Sequence, residues 1–208
     1  MKIYDITATI DMDLCVYVES DRPIFEDLMR IDEGGFCNLT RISATTHMGT
    51  HADMPKHFIN NGASCHDITL DYFYGRAKVI KIKTAAHINK SDLLPFEIDA
   101  GDIILLNTGQ SHYIRQPKLK EDFIALTPDA AQYLVDKKIK TLGIDYLSVD
   151  PYGDLNFPAH KILLGNRIPI LEGLMLGGVP EGEYILSAFP LKYYNGDGSP
   201  VRAVLITH

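Results

Sequence analysis

Between Thr46 and Phe58 the chain reads Thr-His-Met-Gly-Thr-His-Ala-Asp-Met-Pro-Lys-His-Phe, so three of its eight histidines and an aspartate fall within eleven residues. Imidazole nitrogen and carboxylate oxygen are ligand types of zinc and manganese. This run also restricts the backbone. On one extended strand His47 and His51 would share a face, yet at about 3.3 Å per residue they would stand ~13 Å apart. Two ligands of one metal, with bonds of about 2 Å each, cannot be that distant. A helix would supply the i,i+4 spacing, but Thr45, Thr46, Gly49 and Thr50 disfavour it and Pro55 limits it. The remaining solution is a strand that ends near His47 and turns sharply at Gly49-Thr50. Glycine permits that turn and keeps the cavity clear of a side chain. Pro55 stiffens the exit and helps to place His57.

A metal held this way activates water at neutral pH. A catalytic site must keep one coordination position open, so four ligand-type residues are not all expected to be ligands. His57 is therefore expected to transfer protons, for which imidazole titrates in the right range. A second group lies far downstream, where His160 and Glu172 flank a largely apolar run. A glutamate set between Leu171 and Gly173-Leu174-Met175-Leu176 is costly to bury unless it is paired or binds a metal. On this evidence alone a capping or surface role for Glu172 stays open.

The 208 residues carry a net charge of −7 with no Lys/Arg run, which argues against nucleic-acid binding. No segment approaches the ~20 apolar residues of a membrane helix, and the N-terminus lacks the layout of a signal peptide. Cys15, Cys37 and Cys65 form no CxxC pair. They read as free thiols in a reducing cytoplasm. No linker or repeat divides the chain, so one domain spanning residues 1–208 is expected.

Strands are expected at residues 3–10, 39–46, 77–82, 102–107, 141–145, 184–188 and 202–207. Ile103–Leu106 and Val201–Ile206 are expected to be buried on both faces. A helix is expected over 127–138 with Thr127 as N-cap and Pro128 at the first position. Another is expected from near Asn156 to Leu164, ended by Gly165-Asn166. Ser91 reads as the cap of a short helical turn, and Asn195-Gly196-Asp197-Gly198 as a turn. Ser148, Asp150 and His160 are the residue types of a serine triad, but no GxSxG elbow surrounds Ser148. His66, His87, His112 and His208 have no grouped partners.

The segment His47-x-Gly-Thr-His51-x-Asp53-x-Pro-x-His57-Phe58 resembles the signature of the cyclase-like metal hydrolases, which include bacterial kynurenine formamidase and isatin hydrolase. Leu106–Gly109, Gly143-x-Asp145-x-x-Ser148-x-Asp150, the His160/Glu172 pair and Gly198–Ala203 continue the resemblance in the same order. It implies a swivelling β/β/α fold with a central mixed sheet, α/β in class. It also implies two divalent metal ions, with zinc favoured and manganese possible. His47, His51 and Asp53 would hold one ion; Asp53, His160 and Glu172 would hold the other. His57 would be the acid/base for metal-bound hydroxide attacking a small aryl formamide or cyclic amide. A cyclase or lactone reaction, or a non-catalytic metal-binding module, are the alternatives. Family members associate as homodimers or larger homo-oligomers. Where the formamidases carry Trp followed by Pro-Gly-Asp-Pro, this chain reads Val16-Tyr17-Val18-Glu19-Ser20-Asp21-Arg22-Pro23. Tyr17 is the candidate substrate-binding wall there, or else a half-buried packing aromatic.

Overall fold

The computed structural model describes residues 1–84 and 86–207; His208, one of the ungrouped histidines, lies outside them. In chain order the elements are β1 (Ile3–Asp5), β2 (Ile24–Met29), β3 (Leu39–Ser43), β4 (His51–Asp53), β5 (Tyr74–Lys81), α1 (Lys90–Leu93), β6 (Ile103–Asn107), α2 (Pro128–Asp136), β7 (Thr141–Ile144), α3 (Pro158–Gly165), β8 (Ile170–Glu172), β9 (Gly182–Ser187), β10 (Gly198–Pro200) and β11 (Val204–Ile206). Nine strands form one mixed sheet in the order β1-β11-β9-β5-β6-β7-β8-β4-β10. Its centre, β5 through β8, is parallel; the outer pairings are antiparallel. This is the α/β fold with a central mixed sheet that the sequence leads one to expect.

β6 is buried along its whole length. Successive side chains alternate faces, so Ile104 and Leu106 pack under α2 and α3 while Ile103 and Leu105 join Phe73, Leu171 and Leu186 on the other face. α2 turns Ala130, Ala131 and Leu134 inward. Thr127 stands at its N-cap position, but the hydroxyl donates to the Ile88 carbonyl at 2.8 Å and does not cap the helix. Lys138, with φ +58°, lies beyond its end. The cap of α1 is Asn89 and not Ser91: the Asp92 carboxylate accepts the Asn89 N–H at 2.8 Å. Of the run Val201–Ile206, only Val204–Ile206 forms a strand of the sheet. It alternates half-buried and buried, against the expectation of burial on both faces, because β11 lies one strand from the edge.

β2 and β3 stand apart as a two-stranded arm. The first was not foreseen, and the second ends at Ser43 instead of Thr46. Both are exposed along nearly their whole length. Glu26 pairs with Arg41 across the arm at 2.7 Å, and Phe25 faces Ile42. The arm begins just after Asp21 and ends just before Thr45, so both of its roots reach the site described next. Among the described residues no helix is long and apolar enough to cross a membrane.

Candidate metal centre

Residues 51–53 and 170–172 are neighbours in the sheet. β4 runs antiparallel to β8, with His51 directly opposite Glu172. His51 and Asp53 are two apart on β4 and so share a face. The approach to β4 turns at Gly49, whose φ of +63° is the left-handed conformation that favours glycine. The clasp between the two distant segments is direct. Thr50 Oγ1 donates to the Gly173 carbonyl at 2.6 Å, and a Cβ on Gly173 would stand 2.3 Å from the Gly49 oxygen. After β4, Pro55 opens a single 3₁₀ turn, Pro55–His57, that carries His57 back toward the cluster.

His160 arrives from the first turn of α3. Phe157, at φ +47°, provides no capping side chain. The carboxylate of Asp150 caps the helix instead, accepting the N–H groups of Ala159 at 2.8 Å and His160 at 3.0 Å. The same carboxylate lies 2.6 Å from His160 Nδ1. One buried aspartate therefore fixes both the helix end and the ring.

Three imidazoles share one arrangement. Each has an inner nitrogen facing Asp53 or Glu172 and an outer nitrogen near a separate oxygen. His47 Nδ1 is 2.7 Å from Asp53 Oδ1, with Nε2 3.3 Å from Asp197 Oδ2. His51 Nε2 is 3.3 Å from Asp53 Oδ1 and 3.5 Å from Glu172 Oε2, with Nδ1 2.9 Å from the Gly49 carbonyl. His160 Nε2 is 3.4 Å from Asp53 Oδ2 and 3.3 Å from Glu172 Oε1, with Nδ1 on Asp150. Fixing the outer nitrogen is how proteins orient a metal-binding imidazole. Asp53 Oδ2 is buried without a hydrogen-bond partner among the described residues. A buried carboxylate oxygen left so is costly, and a cation would satisfy it. The donor set fits a divalent metal.

Possible ligand atoms within 4.8 Å of one another occur in two groups, His47–Asp53–His57 and His51–Asp53–Glu172, with Asp53 common to both. The five residues expected as ligands are thus brought together, and His57 lies among them. Its ring stacks on His47 with centroids 3.9 Å apart. Neither ring nitrogen of His57 has a hydrogen-bond partner among the described residues; the carboxylate of Asp197 is 3.8 Å from Nδ1. Burial holds His57 below its ordinary pKa, against the pull of Asp53. Burial also disfavours charge on His51, but Asp53 and Glu172 outweigh it and carry the ring up to about 10. Burial opposes charge on His160 and His47 as well, but Asp150, Asp53 and Glu172 raise His160, and Asp53, with Asp197, raises His47. Asp53 is held well below the carboxylate range by the surrounding imidazoles, despite its burial.

Above the cluster opens a cavity of about 310 Å³ lined by Tyr17, Phe58, Leu147 and Phe157 together with His57. Tyr17 is half-buried and leans on Tyr152, ring centroids 5.3 Å apart. Two residues of the site carried no assigned role in the sequence. Asp150 stands in the sequence only among the residue types of a triad and at the end of the Gly-x-Asp-x-x-Ser-x-Asp motif. Asp197 lay inside a run that reads as a turn. Its one local signal is that glycine flanks it on both sides.

The family described as "Putative cyclase" matches residues 4–151. A kynurenine formamidase of Bacillus anthracis is 33% identical over 205 residues, 98% of this chain and 97% of its own. A solved structure of a potential metal-dependent hydrolase with cyclase activity superposes with a TM-score of 0.86 at 34% identity, covering 98% of this chain and 96% of the other. An isatin hydrolase bound to the product analogue thioisatinate shares the fold, with a TM-score of 0.85 at 23% identity over 98% of this chain and 91% of its own. The family match over residues 4–151, the end-to-end sequence similarity and the shared fold agree: the chain belongs to the cyclase family.

Proposed function

We propose that this protein is a metal-dependent amidohydrolase that cleaves the C–N bond of a small aryl formamide or cyclic amide. The observation that carries this reading is the convergence of three oriented imidazoles on the buried carboxylates of Asp53 and Glu172, with Asp53 Oδ2 left without a hydrogen-bond partner among the described residues. His47, His51 and Asp53 would hold one divalent ion, and Asp53, His160 and Glu172 a second. Nitrogen and oxygen donors without a thiolate suit zinc, with manganese as the other candidate. Such ions, when bound, supply Lewis acidity and lower the pKa of water.

The remaining chemistry belongs to the side chains. His57 differs from the other three imidazoles because neither of its ring nitrogens has a hydrogen-bond partner among the described residues, Asp197 standing 3.8 Å from Nδ1. It lines the cavity, and burial keeps it neutral near pH 7. A neutral imidazole accepts a proton from the attacking water and returns it to the leaving nitrogen. Phe58, Phe157 and Tyr17 form aromatic walls that bind and orient a flat aryl group. The same walls exclude bulk water from the ring. The unpartnered nitrogens of His57 and the cavity beside it favour an enzyme over a closed metal-binding module. The three free thiols fit a reducing, cytoplasmic setting.

The test is hydrolysis of N-formylkynurenine, isatin, simple lactams and a lactone by zinc- or manganese-loaded protein, with His57→Ala alongside. Turnover of an amide that His57→Ala abolishes, at undiminished metal content, is the expected result. Turnover confined to the lactone, or an undiminished rate in the variant, would overturn the corresponding part of the proposal.

A further inference from the structure

The turn at Asn195–Gly198 connects two segments, yet it also delivers a carboxylate to two histidines at once. Asp197 Oδ2 lies 3.3 Å from His47 Nε2 and 3.8 Å from His57 Nδ1. The two rings are stacked, so a single oxygen stands beside both. The carboxylate is itself held from several sides. Its Oδ1 accepts the Thr46 hydroxyl at 2.9 Å. The Asp197 carbonyl accepts the Met54 N–H at 2.9 Å, and the Gly196 carbonyl accepts the Cys65 N–H at 2.9 Å. The turn is thereby fastened to the exit of β4 and to the loop that follows His57. A connector needs the glycines; it does not need an acid aimed at two imidazoles.

We infer that Asp197 is a positioning residue shared by His47 and His57. It accepts the outer N–H of His47, which leaves Nδ1 free of a proton and directed at the cation. Its negative charge, 3.8 Å from Nδ1, also orients the His57 ring stacked on His47, so that Nε2 remains available for proton transfer. Asp150 does the first of these things for His160, and the Gly49 carbonyl does it for His51. Asp197 alone of the three also reaches the fourth imidazole. One carboxylate thus ties the geometry of a ligand to that of the acid/base. The inference rests on the reading of the site as a metal centre with His57 as its acid/base.

Losing the outer partner of a metal-binding histidine typically costs about 10–100-fold in affinity or activity. The experiment uses the full-length protein with Asp197→Ala and Asp197→Asn. Zinc affinity is measured first by competition with a chromophoric chelator, with no substrate present. Next, kcat and KM are measured on the zinc-saturated proteins with the amide that the wild type turns over. Asp197→Ala is expected to bind zinc about 10–100-fold more weakly. Once saturated, it should lose at least about tenfold in kcat with KM within about threefold. Asp197→Asn keeps an acceptor oxygen and should fall between. Zinc affinity and kcat within threefold of wild type in both variants would overturn the inference. A loss of affinity with no change in kcat at saturation would overturn the shared role. Wild-type protein that binds no zinc would instead bring down the reading of the site itself.

Discussion

Gly198 lies against the imidazole of His47, and this contact makes a sharp experiment. A Cβ added there would stand 2.6 Å from Cε1, 2.9 Å from Nε2 and 3.0 Å from Nδ1 of that ring. Carbon atoms pack no closer than roughly 3.5 Å, so ring or backbone must move by about 0.9 Å. The backbone is held, because Gly198 is paired with Asp53 and its carbonyl accepts the Cys65 thiol at 3.2 Å. The ring, 21% exposed, is the part that yields. Metal–ligand bonds tolerate only about 0.2 Å, so a shift of that size removes His47 from the site. Gly198→Ala should therefore weaken zinc binding about 100-fold, or about 2.8 kcal/mol. The thermal midpoint of the chelator-treated protein should change little, since no core side chain is displaced. Gly178→Ala is the control: nothing lies within 4 Å of its Cβ position. Chelator competition and thermal unfolding measure the two quantities. Zinc affinity within threefold of wild type in Gly198→Ala, or equal losses in both variants, would refute the reasoning.

Three further outcomes are expected. The carboxylates hold His47, His51 and His160 above their ordinary pKa, so at neutral pH a cation must displace protons from them. Zinc affinity should then rise by at least about tenfold per pH unit between about pH 6 and 8, with calorimetric heats that depend on the buffer; a flat profile would contradict this. At the far end of β5 and β6, buried Asp102 accepts Arg76 at 2.7 Å and lies 2.9 Å from the Lys78 ammonium. Burial raises the pKa of Asp102, but the Asp99 N–H, Lys78 and Arg76 together hold it below the usual range. A depressed carboxylate stabilises above its unfolded pKa, near 3.9, and loses that contribution as pH falls through the folded value. Asp102→Asn should cost about 2–3 kcal/mol in denaturant unfolding at pH 7, and the gap to wild type should close below about pH 4; a gap independent of pH would contradict the ionic account. Finally, Ile24, Phe25, Leu28, Ile31, Phe36, Leu39 and Ile42 are all exposed on or beside the arm. Phe25 and Ile42 are paired across it, on a ribbon that is marginal by itself. We propose that a second copy covers it, so light scattering should give twice the 23.2 kDa chain mass. Phe25→Asp with Ile42→Asp should halve that mass; a monomeric wild type would remove the proposal.

Much of the site was visible in the order of residues. The spacing of His47, His51, Asp53 and His57 around Gly49 and Pro55 already excluded a single strand and disfavoured a helix, and the predicted turn at Gly49 is present with φ +63°. β6 and α2 were equally legible, one as a continuous apolar run and the other from Pro128 and its helical spacing. The arm strand β2 was not, because Ile24-Phe25-Glu26-Asp27-Leu28-Met29 pairs apolar with apolar and acid with acid, and shows no alternation. Asp197 was hidden for a different reason. Asn-Gly-Asp-Gly satisfies a turn locally, so nothing in its neighbourhood called for a further role.

What the chain determined by itself was chemical identity: which donors exist, where the backbone can bend, and which runs are apolar enough to lie in a sheet. These depend on side-chain type and on steric limits that act within a few residues. What only the tertiary structure decided was pairing. The antiparallel register of β4 with β8 sets His51 against Glu172 across more than a hundred residues of sequence. The strand order brings the turn before β10 beside His47. Register is selected by burial of whole strand faces against the rest of the molecule, a sum over distant contacts that no local stretch of sequence contains.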